Sequence, residues 1–136
     1  MKRILFAALL LAGCAPLPPS PADVEAKKFQ VPSDRAAVYV VRTPLDSWET
    51  SGVTLGDRQV GTHRGTYYRW DVAPGTHRVY SAVPGAVTLN TAAGKMYFLE
   101  HTVIGDPHDG GVQVVRLREI NEQAGRQLVM NSELVR

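Results

Sequence analysis

The sequence predicts a mainly β protein: a small antiparallel β-sandwich, or a partly open barrel, with a short C-terminal helix and an extended N-terminal tether. Three observations predict it. From residue 36 onward apolar residues recur with a period of two rather than the helical period of about 3.6. Turn-forming residues, several of them Pro-Gly pairs, cut that stretch into short, evenly spaced segments. Five of the nine prolines lie ahead of it, between Pro16 and Pro32.

The chain opens with a different pattern. Met1-Lys2-Arg3 is a short positive segment, Ile4 to Ala12 is apolar, and Leu11-Ala12-Gly13-Cys14 is followed at once by Ala15-Pro16-Leu17-Pro18-Pro19. That is the layout of an export signal. A spanning helix needs roughly 20 apolar residues, about twice what is present before the prolines. Leu-Ala-Gly-Cys resembles the bacterial lipobox, which implies that residues 1–13 are a cleaved lipoprotein signal peptide and that Cys14 becomes a diacylglycerol-bearing first residue. Cys14 is the single cysteine of 136 residues, so no internal disulfide competes for its thiol. One acyl chain gives marginal membrane binding, and the two or three that the resemblance implies give stable anchoring to the bilayer. Ala15 rather than Asp after the cysteine implies, by resemblance to enterobacterial sorting, the outer membrane facing the periplasm.

Processing changes the charge. Removing Lys2 and Arg3 from the 15 basic residues leaves 13, equal to the 13 acidic ones. With no basic cluster beyond Lys27-Lys28, a phosphate-tracking surface is absent and nucleic acid is not an expected partner.

Residues 14–35 read as a lipidated, Pro-rich tether, extended where proline is dense. Within it Ser20 is a candidate N-cap and Pro21 suits the first helical position, so Pro21 to Lys28 is expected to form two turns. Residues 36–136 then form one β-rich domain, with strands expected at 37–42, 52–56, 59–62, 66–72, 77–82, 86–91, 96–103 and 112–118. Gly56-Asp57-Arg58, Ala73-Pro74-Gly75-Thr76, Pro84-Gly85, Ala93-Gly94-Lys95 and the longer Asp106 to Gly111 segment separate them. Only the end departs from this pattern. Asn121 caps an expected helix from Glu122 to about Met130, and Gly125 inside it marks either close packing on the sheet or a weak helix.

Several of these segments, taken in order, resemble an uncharacterised bacterial lipoprotein domain, domain of unknown function 2846. They are Ala26-Lys27-Lys28-Phe29 with Pro32, Ala37-Val38-Tyr39-Val40-Val41-Arg42, Gln59-Val60-Gly61, Gly65-Thr66-Tyr67-Tyr68, Val72-Ala73-Pro74-Gly75-Thr76-His77 and Ala93-Gly94-Lys95-Met96-Tyr97-Phe98. The Pro-Gly-x-His and Ala-Gly-Lys-x-Tyr turns also resemble PEGA-like sandwiches. At Val41 the family more often has an aromatic. The resemblance implies a β-rich envelope lipoprotein and carries no activity with it.

Candidate chemistry is sparse. His63, His77, His101 and His108 show no metal-ligand spacing, and neither a nucleophile motif nor a phosphate loop is present, so no metal, cofactor or catalytic residue is expected. Asp106, His108 and Asp109 share one loop, where a turn accounts for them better than a cation site. His77 is read as capping its turn or filling a polar edge of the core. The glycines at 52, 56, 61 and 65 serve hairpin geometry. Aromatic residues are the better contact candidates. Alternation puts Tyr68, Trp70 and Val72 on an inner face and Tyr67, Arg69 and Asp71 on an outer one, where Tyr67 and Arg69 form a possible contact spot. Trp48 is either an exposed contact residue or a lid over one end of the sandwich.

Three function classes follow. The first is a non-catalytic binding or adaptor module that engages an envelope protein or glycan. The second is a structural accessory lipoprotein acting through a sheet edge, and the third is an enzyme with a nonstandard site. An aromatic concavity favours the first, a long unprotected edge strand the second, and a cleft with a histidine beside an acid the third.

Overall fold

The computed structural model describes residues 17–82, 86–105, 108 and 110–135. Residues 1–13, expected to be a signal peptide, Cys14, the expected Pro84-Gly85 turn, Asp106 and Asp109 lie outside the described residues. The chain order is α1 (Pro21–Ala26), β1 (Ala36–Val41), β2 (Ser51–Leu55), β3 (Arg58–Thr62), β4 (Thr66–Val72), β5 (Gly75–Ser81), β6 (Ala86–Thr91), β7 (Met96–Ile104), β8 (Val114–Ile120), α2 (Glu122–Met130) and β9 (Glu133–Leu134). Two sheets, ordered β8-β7-β1-β4-β9 and β3-β2-β5-β6, form a sandwich rather than a closed barrel.

Pairing is antiparallel except for β1 with β7 and β4 with β9. Both parallel partners are remote in sequence. After β1 the chain builds β2 and β3 in the second sheet, returns as β4 beside β1, adds β5 and β6 to the second sheet and comes back as β7 on the other side of β1. β9 is a short addition at the edge that local pattern does not announce.

The five-stranded sheet is covered on both faces. Between the sheets lies an aliphatic core of Val38, Val40, Val53, Leu55, Val79, Leu89 and Leu99, with Tyr68 and Trp70 packed against it. On the opposite face α1, the segment after it and α2, the last through Val129, cover Tyr39, Val41, Tyr67 and Phe98. The molecule therefore has three layers. Every residue of β1 is buried, as expected of a strand sandwiched between two apolar layers.

The helical layer corrects two expectations. The alternation of β4 holds, with Tyr68, Trp70 and Val72 toward the second sheet, but of the other face only Asp71 is exposed, Arg69 being half-buried and Tyr67 fully buried. Residues from Pro21 to Val31, assigned to the tether, pack onto the sheet instead of standing off it. Ser20 caps α1 as expected, accepting from the Asp23 amide at 3.2 Å, and the helix ends at Ala26 rather than Lys28. Phe29 then takes a left-handed conformation (φ 54°), which costs about 1–2 kcal/mol. That turn directs its ring onto Tyr39 and Phe98, with centroids 5.6 and 6.3 Å away. Asn121 caps α2 through the Ala124 amide at 2.9 Å.

Candidate functional site

β1 and β7 run in the same direction, so the segment after β1, the β3–β4 turn, the end of β7, the start of β8 and the residues around β9 gather at one end of the molecule. This loop end is organised by a buried arginine. Arg42, immediately after β1, has no exposure, and its guanidinium donates to the carbonyls of Ser47 (2.7 Å), Glu49 (2.6 Å) and Thr62 (2.7 Å) and to the Asp46 carboxylate (3.2 Å). Asp46 also accepts from the amides of Ser47 (2.8 Å) and Val103 (2.8 and 2.9 Å). Burial pushes the Arg42 pKa down and the neighbouring Asp46 charge opposes that shift. A buried charge of this kind persists because its hydrogen-bonding capacity is filled. The 43–50 loop is thus wound around one guanidinium and pinned to β7.

His101 lies beside this group, fully buried, its Nδ1 3.0 Å from the Thr62 hydroxyl oxygen. That hydroxyl spends its proton on the Ser51 carbonyl at 3.1 Å, so the His101 Nδ1–H is the donor and Nε2 carries a lone pair that meets no protein partner. Burial, reinforced by the Arg42 charge, lowers the His101 pKa to about 4. The histidine is therefore neutral at physiological pH and bridges the two sheets. It has no access to solvent, and the nearby Asp46 carboxylate is already engaged by Arg42 and two amides, so this pair does not form an open acid–base cleft.

The outer side of the same end is apolar. Leu45 is 96% exposed, Trp48 73%, Val112 83% and Ile104 61%, and Val114 pairs with Ile104 and is exposed too. Leu45, Trp48, Val103, Ile104 and Gly105 line a shallow depression of about 450 Å³. The Arg64 guanidinium lies 3.1 Å from the centre of the Trp48 ring. Trp48, left open between contact residue and lid, is an exposed residue on a rigidly held loop. His63, next to Arg64, shares a second groove with Leu17, Pro18, Pro19, Met130 and Leu134, so the described chain enters at this same end.

The other anticipated residues have internal roles. Tyr67 donates to Asp23 Oδ1 at 2.9 Å, and burial raises its pKa, further raised by that carboxylate. Arg69 is half-buried, donating to the Gln30 carbonyl (2.8 Å) and pairing with Asp71 (3.0 Å), so it holds down the segment after α1. His77 caps its turn as expected, a ring nitrogen 2.8 Å from the Ala73 carbonyl, with its edge against Trp70. His108 is exposed, 3.6 Å from Glu49. Among the described residues no three His, Cys, Asp or Glu side chains converge to hold a metal.

Arg42, Asp46 and Asp23 were not singled out from sequence. A signal existed for the first two: the unbroken apolar run Ala36–Val41 marks a strand covered on both faces, and a charge directly following it must bring its partners along. No protein-family model matches the chain and no curated protein matches it.

Proposed function

We propose that this chain is a bacterial envelope lipoprotein, anchored through acylated Cys14 and acting as a non-catalytic contact module, like the uncharacterised lipoprotein domain that its motifs resemble. One observation carries the contact reading. The buried polar groups Arg42, Asp46, His101 and Asp23 have structural roles inside the fold, while seven of the nine large apolar side chains exposed among the described residues (Leu17, Leu45, Trp48, Ile104, Val112, Val114 and Met130) sit at one end. Monomeric proteins rarely leave such a cluster in water without use for it. The sheet-edge alternative has less support: the long edge strand β8 carries Arg116, Arg118 and Glu119, and edge charges discourage strand addition.

Metabolic labelling of the full chain with a fatty-acid probe tests the anchor. Label is expected on the native protein and lost in Cys14→Ser; label retained in that variant overturns the assignment. Single replacement of His63, His77, His101 and His108 by Gln is expected to leave complementation of a deletion intact. A folded variant that behaves like the deletion moves the reading to the enzyme class.

A further inference from the structure

We infer that the apolar loop end is a second membrane contact, so that the domain lies with this end against the bilayer that holds its lipid. This rests on the lipoprotein reading and adds the occupant of the exposed surface.

The argument is one of reach. The described chain begins at Leu17, in a groove shared with His63, and His63 adjoins Arg64, which stacks on Trp48. Only three residue steps separate Leu17 from Cys14, and a chain spans at most about 3.6 Å per residue whatever its conformation. Leu17 therefore stays within about 11 Å of an acylated Cys14, a distance comparable to the headgroup region alone. Because residues from Pro21 onward are packed on the sheet, the slack is confined to the few residues between Cys14 and Ser20, too short a span to lift the domain far from the bilayer. The end that carries Leu45, Trp48, Ile104, Val112 and Val114 is brought to the membrane by the anchor itself.

Its chemistry suits that position. Tryptophan favours the membrane–water interface, where its ring is buried and its N–H stays wet. Arg64, lying over Trp48, places a cation beside the ring at the level expected of lipid phosphate. Leu45 and Ile104 flank the depression beside Trp48 and add aliphatic area. The outer face of the four-stranded sheet, where Arg78 lies against Tyr80 and Thr76 bonds to Asn90, takes no part in this contact.

The test uses mature, acylated protein in vesicles of phosphatidylethanolamine and phosphatidylglycerol, some carrying brominated acyl chains. Trp70→Phe leaves Trp48 as the sole tryptophan. Because Cys14 is consumed by lipid, Leu45→Cys gives a unique thiol for an environment-sensitive dye at a fully exposed, fold-neutral position, and Thr76→Cys, exposed at the start of β5 on the opposite end, serves as the distal control. Brominated lipid is expected to cut the emission of Trp48 and of the Leu45 dye by roughly half or more, with the Thr76 dye unchanged and aqueous iodide quenching only the latter. Intact mass separates the two readings. A mass without acyl chains overturns the lipoprotein assignment. An acylated mass with the Leu45 dye open to iodide and blind to bromine overturns the membrane contact alone. Shielding from iodide without bromine quenching overturns it in favour of a protein occupant: a second copy if it grows with the protein-to-lipid ratio, a different protein if it arises only in native envelopes.

Discussion

The two faces of the five-stranded sheet are built from different chemistry. Toward the second sheet the core is aliphatic, mostly valine and leucine, and its burial is non-directional. Toward the helices it is aromatic, with Tyr39 stacked on Phe98 at 5.1 Å and tilted against Tyr67 at 6.2 Å, and it is tied by directed bonds. Tyr39 donates to the Ala26 carbonyl at 2.8 Å, and Asp23 accepts from Tyr67, Lys27 and the Leu134 amide at 2.8–3.0 Å. The difference teaches how each layer is recruited. A second sheet is delivered by hairpins and needs only to be apolar. Two short helices from opposite ends of the chain need placement, which rings and hydrogen bonds supply.

Neighbouring residues on β7 separate the two faces most sharply, since Phe98 points to the helices and Leu99 to the second sheet. Phe98→Ala is expected to cost about 3–5 kcal/mol, and Leu99→Ala about 2–5 kcal/mol. Location distinguishes them better than size. In native-state hydrogen exchange Phe98→Ala should release the amides of α2 ahead of the β2–β5 amides, and Leu99→Ala should lower both together. Equal release in both variants would mean that the two layers unfold as one unit.

Acid sharpens the comparison, because His101 on one face and Asp23 on the other are buried groups whose pKa values are shifted in different acidic windows. His101, between the sheets, has its folded pKa near 4 against 6.5 unfolded, so the unfolded chain binds the extra proton first. Its contribution is complete above pH 6.5 and is lost as the pH falls toward 4, amounting to about 3 kcal/mol. His101→Gln should flatten the stability profile across that window; an unchanged slope would show that His101 is not held neutral.

Asp23, on the helical face, behaves differently. Burial pushes its pKa up, but hydrogen bonds from Lys27, Tyr67 and the Leu134 amide, with the Lys27 charge, outweigh that and hold it below 3.8. Its contribution is present above pH 3.8 and lost only as the pH falls further. Asp23→Asn is expected to cost about 2 kcal/mol at neutral pH by leaving donors unmatched, and to remove only the most acidic part of the profile. Urea midpoints across pH for wild type and both variants check the ordering.

How much of this was legible follows from the same contrast. Strand positions, the caps at Ser20 and Asn121 and the inner set Tyr68, Trp70 and Val72 are local consequences of periodicity and capping chemistry, and they stand in the sequence. Periodicity says that two sets of residues face opposite ways; it does not say what covers either set. Tyr67 and Arg69 therefore read as surface until α1 and the segment after it, remote from β4 in the chain, close over them. Trp48 was legible as a contact candidate because an aromatic in a polar loop has no strand face to hide in. Its setting was not, because Arg42 and Arg64 meet that loop only in the folded molecule.

The smallest expected effect decides whether the helical layer is really fitted to the sheet. Gly125 in the middle of α2 forfeits about 1 kcal/mol of helix propensity relative to alanine, so on a loosely docked helix Gly125→Ala would stabilise. In the structure a Cβ at this position would overlap the Phe98 ring, with no backbone freedom required at Gly125 itself. Overpacking of this kind costs about 1–3 kcal/mol, which outweighs the propensity gain and leaves a net loss near 1 kcal/mol. The sign is the informative quantity. If the clash is the cause, Phe98→Leu should remove it, and Gly125→Ala introduced into that background should then be neutral or stabilising, giving a coupling of about 1–2 kcal/mol in a double-mutant cycle. Additive effects would show that α2 moves aside without consequence, and that the helical face is adaptable where the inter-sheet face is not.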